Sequence, residues 1–413
     1  MFGNLKGLER HNALMIVVVA ALGYFVDIYD LLLFSMLRIK SLKDLGVTDP
    51  VELMSKGALL LNMQMGGMLV GGILWGVLGD KKGRLSVLFG SIIMYSVASV
   101  LNGMVTTLEQ YAALRFLAGV GLAGELGAGI TLVAEVMPKD SRGWGTSIVA
   151  AVGISGAVVG YLVSEMTHWR IAYYVGGGLG LALLVLRVGV VESGLFKKAV
   201  HEHPNRGDFF FLFSSPQRFF KYLRVIAIGL PLWYLVGILI TFSPEFGREF
   251  GFAEAPNPGK AVALCYAGLA VGDLLSGMIS QWFRSRRKAV ALFMLLQVAG
   301  TALYFTLGRR DLDTFYRLCV LLGLAGGYWA MFVTIGSEQF GTDIRATVTT
   351  TVPNFVRGAV VPMTSSFVFL KPALGVSGSG MLVGLVVFVL AAWALWGMEE
   401  TFHKDLDYLE QAP

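Results

Sequence analysis

Long apolar runs alternate with short polar stretches along nearly the whole chain. The hydrocarbon core of a bilayer is about 30 Å thick, and a helix needs roughly 20 apolar residues to cross it. Twelve runs come close to this length, so the pattern predicts an all-α membrane protein with twelve transmembrane helices. These predicted segments, numbered one to twelve, lie near 13–37, 58–79, 85–104, 111–134, 145–164, 171–191, 224–243, 261–282, 289–307, 315–337, 347–370 and 379–398.

One long connection divides the twelve segments into two groups of six. Residues 192–223 are polar and basic and are interrupted by Pro204 and Pro216, a composition typical of a linker on the cytoplasmic side. The predicted domains are an N-terminal six-helix bundle at 1–191, this cytoplasmic linker at 192–223, a C-terminal six-helix bundle at 224–398 and a cytoplasmic tail at 399–413.

A sequence repeat relates the two groups. Three charged residues close segment four, and residues of the same types at the same spacing close segment ten: Glu135, Asp140 and Arg142, then Glu338, Asp343 and Arg345. A basic stretch also follows both segment two and segment eight. Two parallel halves related by an axis along the membrane normal are a known transporter plan, so the repeat predicts two pseudo-symmetric bundles.

Composition and charge support a membrane location. The chain is 55% hydrophobic and 15% charged, whereas soluble domains carry about 25% charged residues. Of the 33 Lys and Arg residues, 20 are assigned to one side of the predicted segments, with Arg187 among them, and 11 to the other side, with Arg38 among them. The remaining two, Arg115 and Arg357, lie within the membrane. Because cytoplasmic loops collect positive charge, we predict a multi-pass protein of the cell's inner membrane with both termini in the cytoplasm.

The sequence argues against several other classes of function. The net charge of +5 follows from the loop bias and does not indicate a nucleic-acid partner. All five histidines lie outside the apolar runs, so we expect no metal site. No phosphate-binding loop is present, so we do not expect ATP-driven transport. The expectation is a protein that is not an enzyme, a functional monomer in the lipid bilayer, with no cofactor and with the proton gradient as its energy source.

Segment one contains two acids near its middle, Asp27 and Asp30. A charged side chain at mid-bilayer costs on the order of 3 kcal/mol, so such residues face a bundle interior or a water-filled cavity. Residues three apart share one face of a helix. We therefore expect a water-accessible cleft between the two halves to receive both carboxyl groups.

Two motifs rich in glycine and charge stand out: Gly76, Gly79, Asp80, Gly83 and Arg84 after segment two, and Arg115, Gly119, Gly121, Gly124 and Glu125 in segment four. The first resembles the signature loop of the major facilitator superfamily and the second resembles its helix-four motif, and the resemblance covers nearly the whole chain. Glu135 with Arg142, and the tail from Glu399 to Leu406, resemble the sugar-porter and metabolite–proton symporter branches. The stretch Asp27 to Asp30 is similar to the acidic first helix of phosphate, aromatic-acid and metabolite symporters. The paired glutamines of sugar porters have no match in segment seven, which argues against a sugar substrate.

The resemblance implies a proton-coupling role for charges inside the membrane. In related symporters an acid of the first helix faces an arginine of the fourth, and the changing balance of burial and charge lets the acid bind and release a proton. This implies Asp27 as the proton acceptor and Asp30 as the second candidate, with Arg115 as the cation. A static buried pair is the alternative. Glu125 is either a second proton or cation site or the partner of a neighbouring helix.

Arg357 in segment eleven, with Asn354 one turn earlier, is the best candidate to bind an anionic substrate group. A guanidinium binds carboxylate or phosphate through two hydrogen bonds. The alternative is an ion pair with Asp273 of segment eight. Small-molecule sites combine aromatic faces with a few polar groups, and the further candidates of this kind are Tyr24, Tyr29, Gln64, Arg115, Trp233, Tyr234, Tyr328 and Trp329.

Charges at the cytoplasmic ends of the segments predict a gate. Opposite charges there can pair when the cavity faces outward and separate when it faces inward, which biases a two-state equilibrium. In the second half, Glu338, Asp343 and Arg345 are expected to form the same kind of network, with Arg284 or Arg286. The predicted gate residues are Asp80, Arg84, Glu135, Arg142, Glu338 and Arg345.

These features predict a secondary active transporter that works by alternating access. The favoured activity is proton symport of a small organic anion or a phosphate-like metabolite. Within the predicted segments, four acids stand against two bases; the acids are Asp27, Asp30, Glu125 and Asp273. This excess keeps open the alternative that the substrate is an organic or metal cation, carried by antiport. A nutrient sensor would usually carry a longer tail, and a passive channel would not need repeated gate charges.

Overall fold

The computed structural model describes residues 7–82, 84–125, 142–192, 209–341 and 344–402, with backbone alone for 7–14, 16, 79–82, 84–85, 142–148, 150–151, 189–192 and 346. Within these ranges the chain forms fourteen α-helices: α1 Gly7–Asp44, α2 Pro50–Lys82, α3 Arg84–Asn102, α4 Leu108–Leu122, α5 Arg142–Met166, α6 Trp169–Glu192, α7 Pro216–Tyr234, α8 Ser243–Glu249, α9 Pro258–Phe283, α10 Arg286–Thr306, α11 Leu312–Gly326, α12 Trp329–Gln339, α13 Arg345–Gly358 and α14 Val360–Trp396. A π-helical stretch, Leu235–Ile240, extends α7.

The described helices fall in the places of the predicted segments, although their number differs from twelve. Eight helical stretches of the described chain are long and apolar enough to cross a membrane, and two shorter apolar helices, Ser86–Asn102 and Val152–Met166, match segments three and five. Segment four begins in α4, and its residues 126–134 lie outside the described part. The longest stretch, Thr347–Trp396, covers both segments eleven and twelve. The all-α prediction is therefore confirmed.

The chain reverses direction inside α14, at Gly375. This glycine has φ +70°, in the left-handed region that disfavours residues with a Cβ. Before it, the chain runs parallel to α7, since Thr351 bonds to Tyr222 and Phe367 stacks on Phe246. After it, the chain runs antiparallel, since Arg224 at the start of α7 bonds to the carbonyl of Gly397. Two predicted membrane crossings thus join without a loop.

A carboxylate caps the helix that leaves this reversal. The side chain of Glu249, at the end of α8, accepts hydrogen bonds from the backbone amides of Val376 and Ser377, the latter at 2.9 Å. Burial raises the pKa of Glu249, but the hydrogen bonds from Ser377 and Val376 and the charge of Arg309 outweigh it and lower the pKa below its ordinary value. The anionic form is the one that stabilises a helix start.

The two halves meet along α2 and α13, which cross antiparallel. Asn62 of α2 bonds to Thr364 beyond α13, and further along α2 the backbone of Gly72 lies against the side chain of Asn354. A Cβ at Gly72 would lie 2.7 Å from the Cβ of Asn354, so the glycine allows this close approach. Helices α5 and α9 form a second contact between the halves. These contacts bring α1 and α13 to the same depth.

At the end predicted to face outward, a buried ion pair joins the halves. Arg38 of α1 donates to the carboxylate of Glu245 on α8 at 2.7 Å and to the carbonyl of Thr241 at 3.3 Å. The guanidinium also lies 4.7 Å from the ring centroid of Phe242, and Ser35 accepts a hydrogen bond from Thr241. The sequence reading placed Arg38 in an outer loop; the structure buries it completely, which corrects that assignment.

At the opposite end, the residues that follow α14 fold back over the second half. The carboxylate of Glu400 accepts the backbone amides of Arg286 and Arg287 at the start of α10, together with the hydroxyl of Ser285. Burial raises the pKa of Glu400, and these hydrogen bonds more than offset it, so that the pKa lies below its ordinary value. The tail is thereby fastened to α10.

We expect loss of the Arg38–Glu245 pair to open the outer end. Removing one partner of a buried ion pair destabilises a protein by about 3–5 kcal/mol. In Glu245→Gln this loss falls only on the conformation whose outer end is closed, because the pair joins the halves there. A cysteine introduced by Ser35→Cys, which lies at this junction, should react at least tenfold faster with a membrane-impermeant thiol reagent in the Glu245→Gln background.

The matched control is Glu52→Gln. Glu52 pairs with Lys56 one turn away on the exposed surface of α2 and bridges no halves, so the Ser35→Cys labelling rate should not change. Equal labelling rates with and without Glu245→Gln would show that the pair does not hold the outer end closed.

Candidate functional site

An ion pair at mid-depth joins the two halves at the centre of the molecule. Asp27 lies on α1 and Arg357 on α13, and one carboxylate oxygen stands 3.6 Å from the guanidinium Nη2. Their side chains are 0% and 1% exposed. Desolvating two charges is costly unless each meets an opposite charge. The pair therefore explains how both charges can be buried. Because the two residues belong to different halves, the distance between them depends on how the halves are arranged.

This pair leaves much of its hydrogen-bonding capacity unused. Neither carboxylate oxygen of Asp27 has a hydrogen-bond partner among the described residues, and the same holds for Nε and Nη1 of Arg357. Buried polar groups in native proteins are nearly always satisfied, and each exception requires an explanation. A guanidinium with free N–H groups at the junction of two halves is a group that an anionic ligand could satisfy.

Two indole rings flank the guanidinium. The Cζ atom of Arg357 lies 5.8 Å from the ring centroids of both Trp233 and Trp329, and the two indoles stand edge to face at 6.4 Å. The Nε1 of Trp233 has no partner among the described residues. Tyr24 of α1 reaches the same cluster, where it interacts with Trp329 and Arg357. Cation and aromatic faces are thus brought together at one place.

Asn354 extends the cluster one turn along α13. Its amide nitrogen donates to the carbonyl of Ala123, at the end of α4, and to the carbonyl of Thr350, both at 2.9 Å. Its side-chain oxygen has no partner in the described part of the chain. Asn354 therefore ties α13 to the first half, and it leaves an acceptor beside Arg357.

Arg115 does not face Asp27. It donates to Gln64 and lies against the rings of Phe34 and Tyr173, with centroid distances of 5.2 and 5.8 Å. Its electrostatic partner on α1 is Asp30, whose carboxylate accepts a hydrogen bond from Ser99 at 3.0 Å. Of the two acids on α1, Asp30 is thus the one that experiences the charge of Arg115, without an ion pair between them. Asp27 turns to the second half instead.

Glu125 pairs with Arg187 of α6, and both are buried. One of its two hydrogen bonds, from Nη1 of Arg187, measures 3.0 Å. Gly23 of α1 makes room for them, because a Cβ there would collide with both side chains. Of the alternatives left open for Glu125, the structure places it in the pairing with a neighbouring helix. Arg187 was counted as an inner-loop charge and is in fact buried, which is a second correction.

The structure does not bring three predicted tyrosines to the cluster. Their hydroxyls bond to backbone carbonyls within one half: Tyr29 to Ala172, Tyr234 to Gly380 and Tyr328 to Ile228. Each is fully buried. Gln64 is also committed within the first half, because it accepts from Arg115 and donates to the carbonyl of Leu31. These residues support packing around the site and do not line it.

The expected open cleft is not what surrounds the two acids in this conformation. Asp27 is fully buried and Asp30 nearly so, and their environment is Arg357 for the first and Ser99 with Arg115 for the second. In this conformation Asp27 is accommodated by its ion pair with Arg357 and Asp30 by its hydrogen bond from Ser99.

At the cytoplasmic end, Glu338 pairs with Arg286 at 3.2 Å, and Arg286 is one of the two arginines expected in the gate network of the second half. Thr401 of the tail donates to the same carboxylate, and Arg345 donates to the carbonyl of Ser337 at 2.9 Å. The other predicted gate residues lie outside the described side chains: Asp80, Arg84, Glu135 and Arg142.

Sequence reasoning missed two arginines that matter for the charge balance, Arg38 and Arg187. A signal was present for Arg187, which has apolar neighbours on both sides in the stretch Leu183–Val191. Arg38 directly follows an apolar run, and nothing local distinguishes it from a loop charge. With both included, the excess of acids over bases found from the sequence largely disappears. The bases are now Arg38, Arg115, Arg187 and Arg357, and the acids are Asp27, Asp30, Glu125, Asp273 and Glu245.

A multi-helix membrane protein with a charged centre between two halves has the architecture of a carrier. The Major Facilitator Superfamily profile matches residues 14–363, and the chain belongs to this family. It is a membrane-spanning transporter with the major facilitator fold, and it is not an enzyme.

Known proteins similar to the chain include two bacterial transporters. The gentisate transporter of Corynebacterium glutamicum is 25% identical over 81% of this chain and 78% of its own length. The niacin transporter of Acinetobacter baylyi is 30% identical over 79% of this chain and 80% of its own length. The crystal structure of a D-xylose–proton symporter covers 94% of this chain and 98% of its own at a TM-score of 0.68 and 17% identity, a similarity of fold.

We expect Glu125→Gln to lower stability without a specific effect on coupling. The change leaves Arg187 buried without its counter-charge, which costs about 3–5 kcal/mol. Replacing both residues by Met should recover most of this loss, because no unpaired charge remains. Thermal unfolding of the detergent-purified protein measures both effects. A Glu125→Gln variant that unfolds like the wild type but has lost gradient-driven uptake would assign Glu125 to proton transfer instead.

Proposed function

We propose that the chain carries a small aromatic carboxylate together with a proton, by secondary active transport and alternating access. The observation that carries this proposal is the sealed pair of Asp27 and Arg357, whose hydrogen-bonding groups are largely unused. One guanidinium sits at the centre of the interface, and two anions can compete for it: the carboxylate of Asp27 and that of the substrate.

This competition supplies a coupling mechanism. While Asp27 is ionised, it neutralises Arg357 and the site is closed to an anion. When a proton neutralises Asp27, Arg357 is left without a counter-charge in a buried place, and a substrate carboxylate restores the balance through two hydrogen bonds. On the other side of the membrane, loss of the proton lets Asp27 return to Arg357 and displace the substrate. Proton and anion therefore travel together.

The surroundings of Arg357 favour an aromatic substrate. Trp233 and Trp329 provide ring faces next to the guanidinium, and offset or edge-to-face contact between aromatic rings contributes about 0.5–1.5 kcal/mol beyond area burial. Niacin and gentisate, named for the two relatives, are each an aromatic ring with one carboxylate. Inorganic phosphate would bind the guanidinium but would make no use of the two indoles.

A cation substrate is less well supported. The acids Asp27, Glu125 and Glu245 each face an arginine, and Asp30 interacts with Ser99 and Arg115. A cation bound at Asp27, Glu125 or Glu245 would have to break an ion pair and leave an arginine buried alone. The charge pattern is better matched to an anion and a proton.

We further propose that the protein resides in the inner membrane with both termini in the cytoplasm. Because Arg187 was counted on the predicted inner side and Arg38 on the outer side, removing both from the loop charges leaves the excess of Lys and Arg on the inner side unchanged. This bias is the basis of the orientation.

Arg357→Lys tests substrate recognition. Lysine keeps the charge but presents a single ammonium in place of the planar fork, so we expect KM for a transported aromatic acid to rise about tenfold, which corresponds to about 1.4 kcal/mol. Initial uptake rates of labelled niacin and gentisate in proteoliposomes provide the measurement. Arg317→Lys is the control, because Arg317 is 79% exposed at the outer end of α11. An unchanged KM in Arg357→Lys would remove Arg357 from the binding site.

Asp27→Asn tests coupling. Asparagine cannot release a proton, so we expect an imposed pH gradient to produce no uphill accumulation while exchange of labelled for unlabelled substrate continues. Asp30→Asn, outside the central pair, should still accumulate substrate, and so should Asp313→Asn on the exposed surface. The assignment fails if Asp27→Asn and Asp30→Asn both accumulate substrate as the wild type does.

A further inference from the structure

Predicted segment ten is one continuous apolar run, but the structure breaks it in the middle. Helix α11 ends at Gly326 and α12 begins at Trp329. Between them, Gly327 has φ −75° and ψ 57°, and Tyr328 has φ −128° and ψ 21°. The first amides of any α-helix lack an acceptor within the helix. Inside a membrane these donors must find another partner.

The partner comes from a neighbouring helix. Tyr328, at the N-cap position, makes no side-chain cap of its own. Asp273 of α9 supplies it: one carboxylate oxygen accepts the backbone amide of Ala330 at 3.1 Å, and the amide dipole of Trp329 acts on the same carboxylate. The alternative considered for Asp273, a pair with Arg357, is not formed, since Arg357 pairs with Asp27.

Asp273 is held at the break by close contact between α9 and α11. A Cβ on Gly272 would collide with the carbonyl oxygen of Leu324, and one on Gly327 would collide with the backbone of Gly272. The two chains therefore touch backbone to backbone beside Asp273. The carboxylate has little freedom to move away from the amides it caps.

The break decides where Trp329 points. Trp329 is the first residue of α12, and its indole is one of the two rings next to Arg357. It also packs against Trp233 and Phe332, at centroid distances of 6.4 and 5.0 Å. If α12 began elsewhere, the direction of this side chain would change with it.

We propose that Asp273 is a positioning residue for the substrate site: by capping α12 it holds the Trp329 ring against Arg357, so that the aromatic wall exists before the substrate arrives. The expected effect on transport rests on the proposed function, whereas the capping of α12 by Asp273 does not. Asp273 acts here by accepting hydrogen bonds, which an uncharged side chain of the same shape can also do, since Asn caps helices about as well as Asp.

The test compares Asp273→Asn with Asp273→Ala in the full-length protein. In proteoliposomes we expect Asp273→Asn to keep KM for labelled niacin or gentisate within about twofold of the wild type. Loss of a cap is expected to raise KM about tenfold in Asp273→Ala, with the maximal rate little changed. Asp273→Ser, whose side chain is too short to reach across from α9, serves as a second variant if the alanine variant does not fold.

A readout without substrate separates this inference from the proposed function. Amide hydrogen exchange over residues 326–332 of the unliganded protein should accelerate in Asp273→Ala and stay near the wild-type rate in Asp273→Asn. Asp311→Ala is the matched control, because Asp311 caps α11 at its exposed end and should alter neither this peptide nor KM. If the wild type transports no aromatic acid but the exchange pattern holds, the proposed function fails and the cap stands.

Two outcomes would overturn the inference. Unchanged exchange at 326–332 in Asp273→Ala would show that the carboxylate does not hold the break. Loss of gradient-driven accumulation in Asp273→Asn, with substrate exchange retained, would assign Asp273 to the movement of protons and not to positioning.

Discussion

The buried pair of Asp27 and Arg357 sets the arrangement on which the rest of the molecule depends. Two charges removed from water are tolerated only if they compensate each other, and the effective cost of isolating one is several kcal/mol. Because the two residues belong to different halves, the halves must approach at this depth. The antiparallel crossing of α2 and α13 and the bridge from Asn354 to the carbonyl of Ala123 provide that approach.

Other buried arginines are satisfied in a different way. Arg38 has a carboxylate at 2.7 Å, a backbone carbonyl and an aromatic face, and Arg187 makes two hydrogen bonds to Glu125. Those pairs connect helices, and few of their hydrogen-bonding groups lack a partner. The central pair is longer and less complete, and this difference separates a group that holds structure from one that can exchange partners.

Sequence analysis could predict the segments and could single out Asp27 and Arg357 as charges within them, because apolar runs and charges inside them are local properties. It could not predict that these two residues meet, since the face of a helix does not reveal which helix lies opposite. It overestimated Tyr29, Tyr234 and Tyr328, whose hydroxyls are used by carbonyls of distant helices. The break at Gly326 to Tyr328 was invisible for the same reason: the side chain that stabilises it lies more than fifty residues away in the chain.

The internal neutrality of the central pair has an electrical consequence. Moving one elementary charge through 100 mV of membrane potential takes about 2.3 kcal/mol. With Arg357 balanced by Asp27, and in the proposed cycle by the substrate carboxylate when Asp27 is protonated, the centre carries no net charge in either form. The reorienting centre would then experience little force from the membrane voltage, so that uptake would respond to the pH difference more than to the voltage.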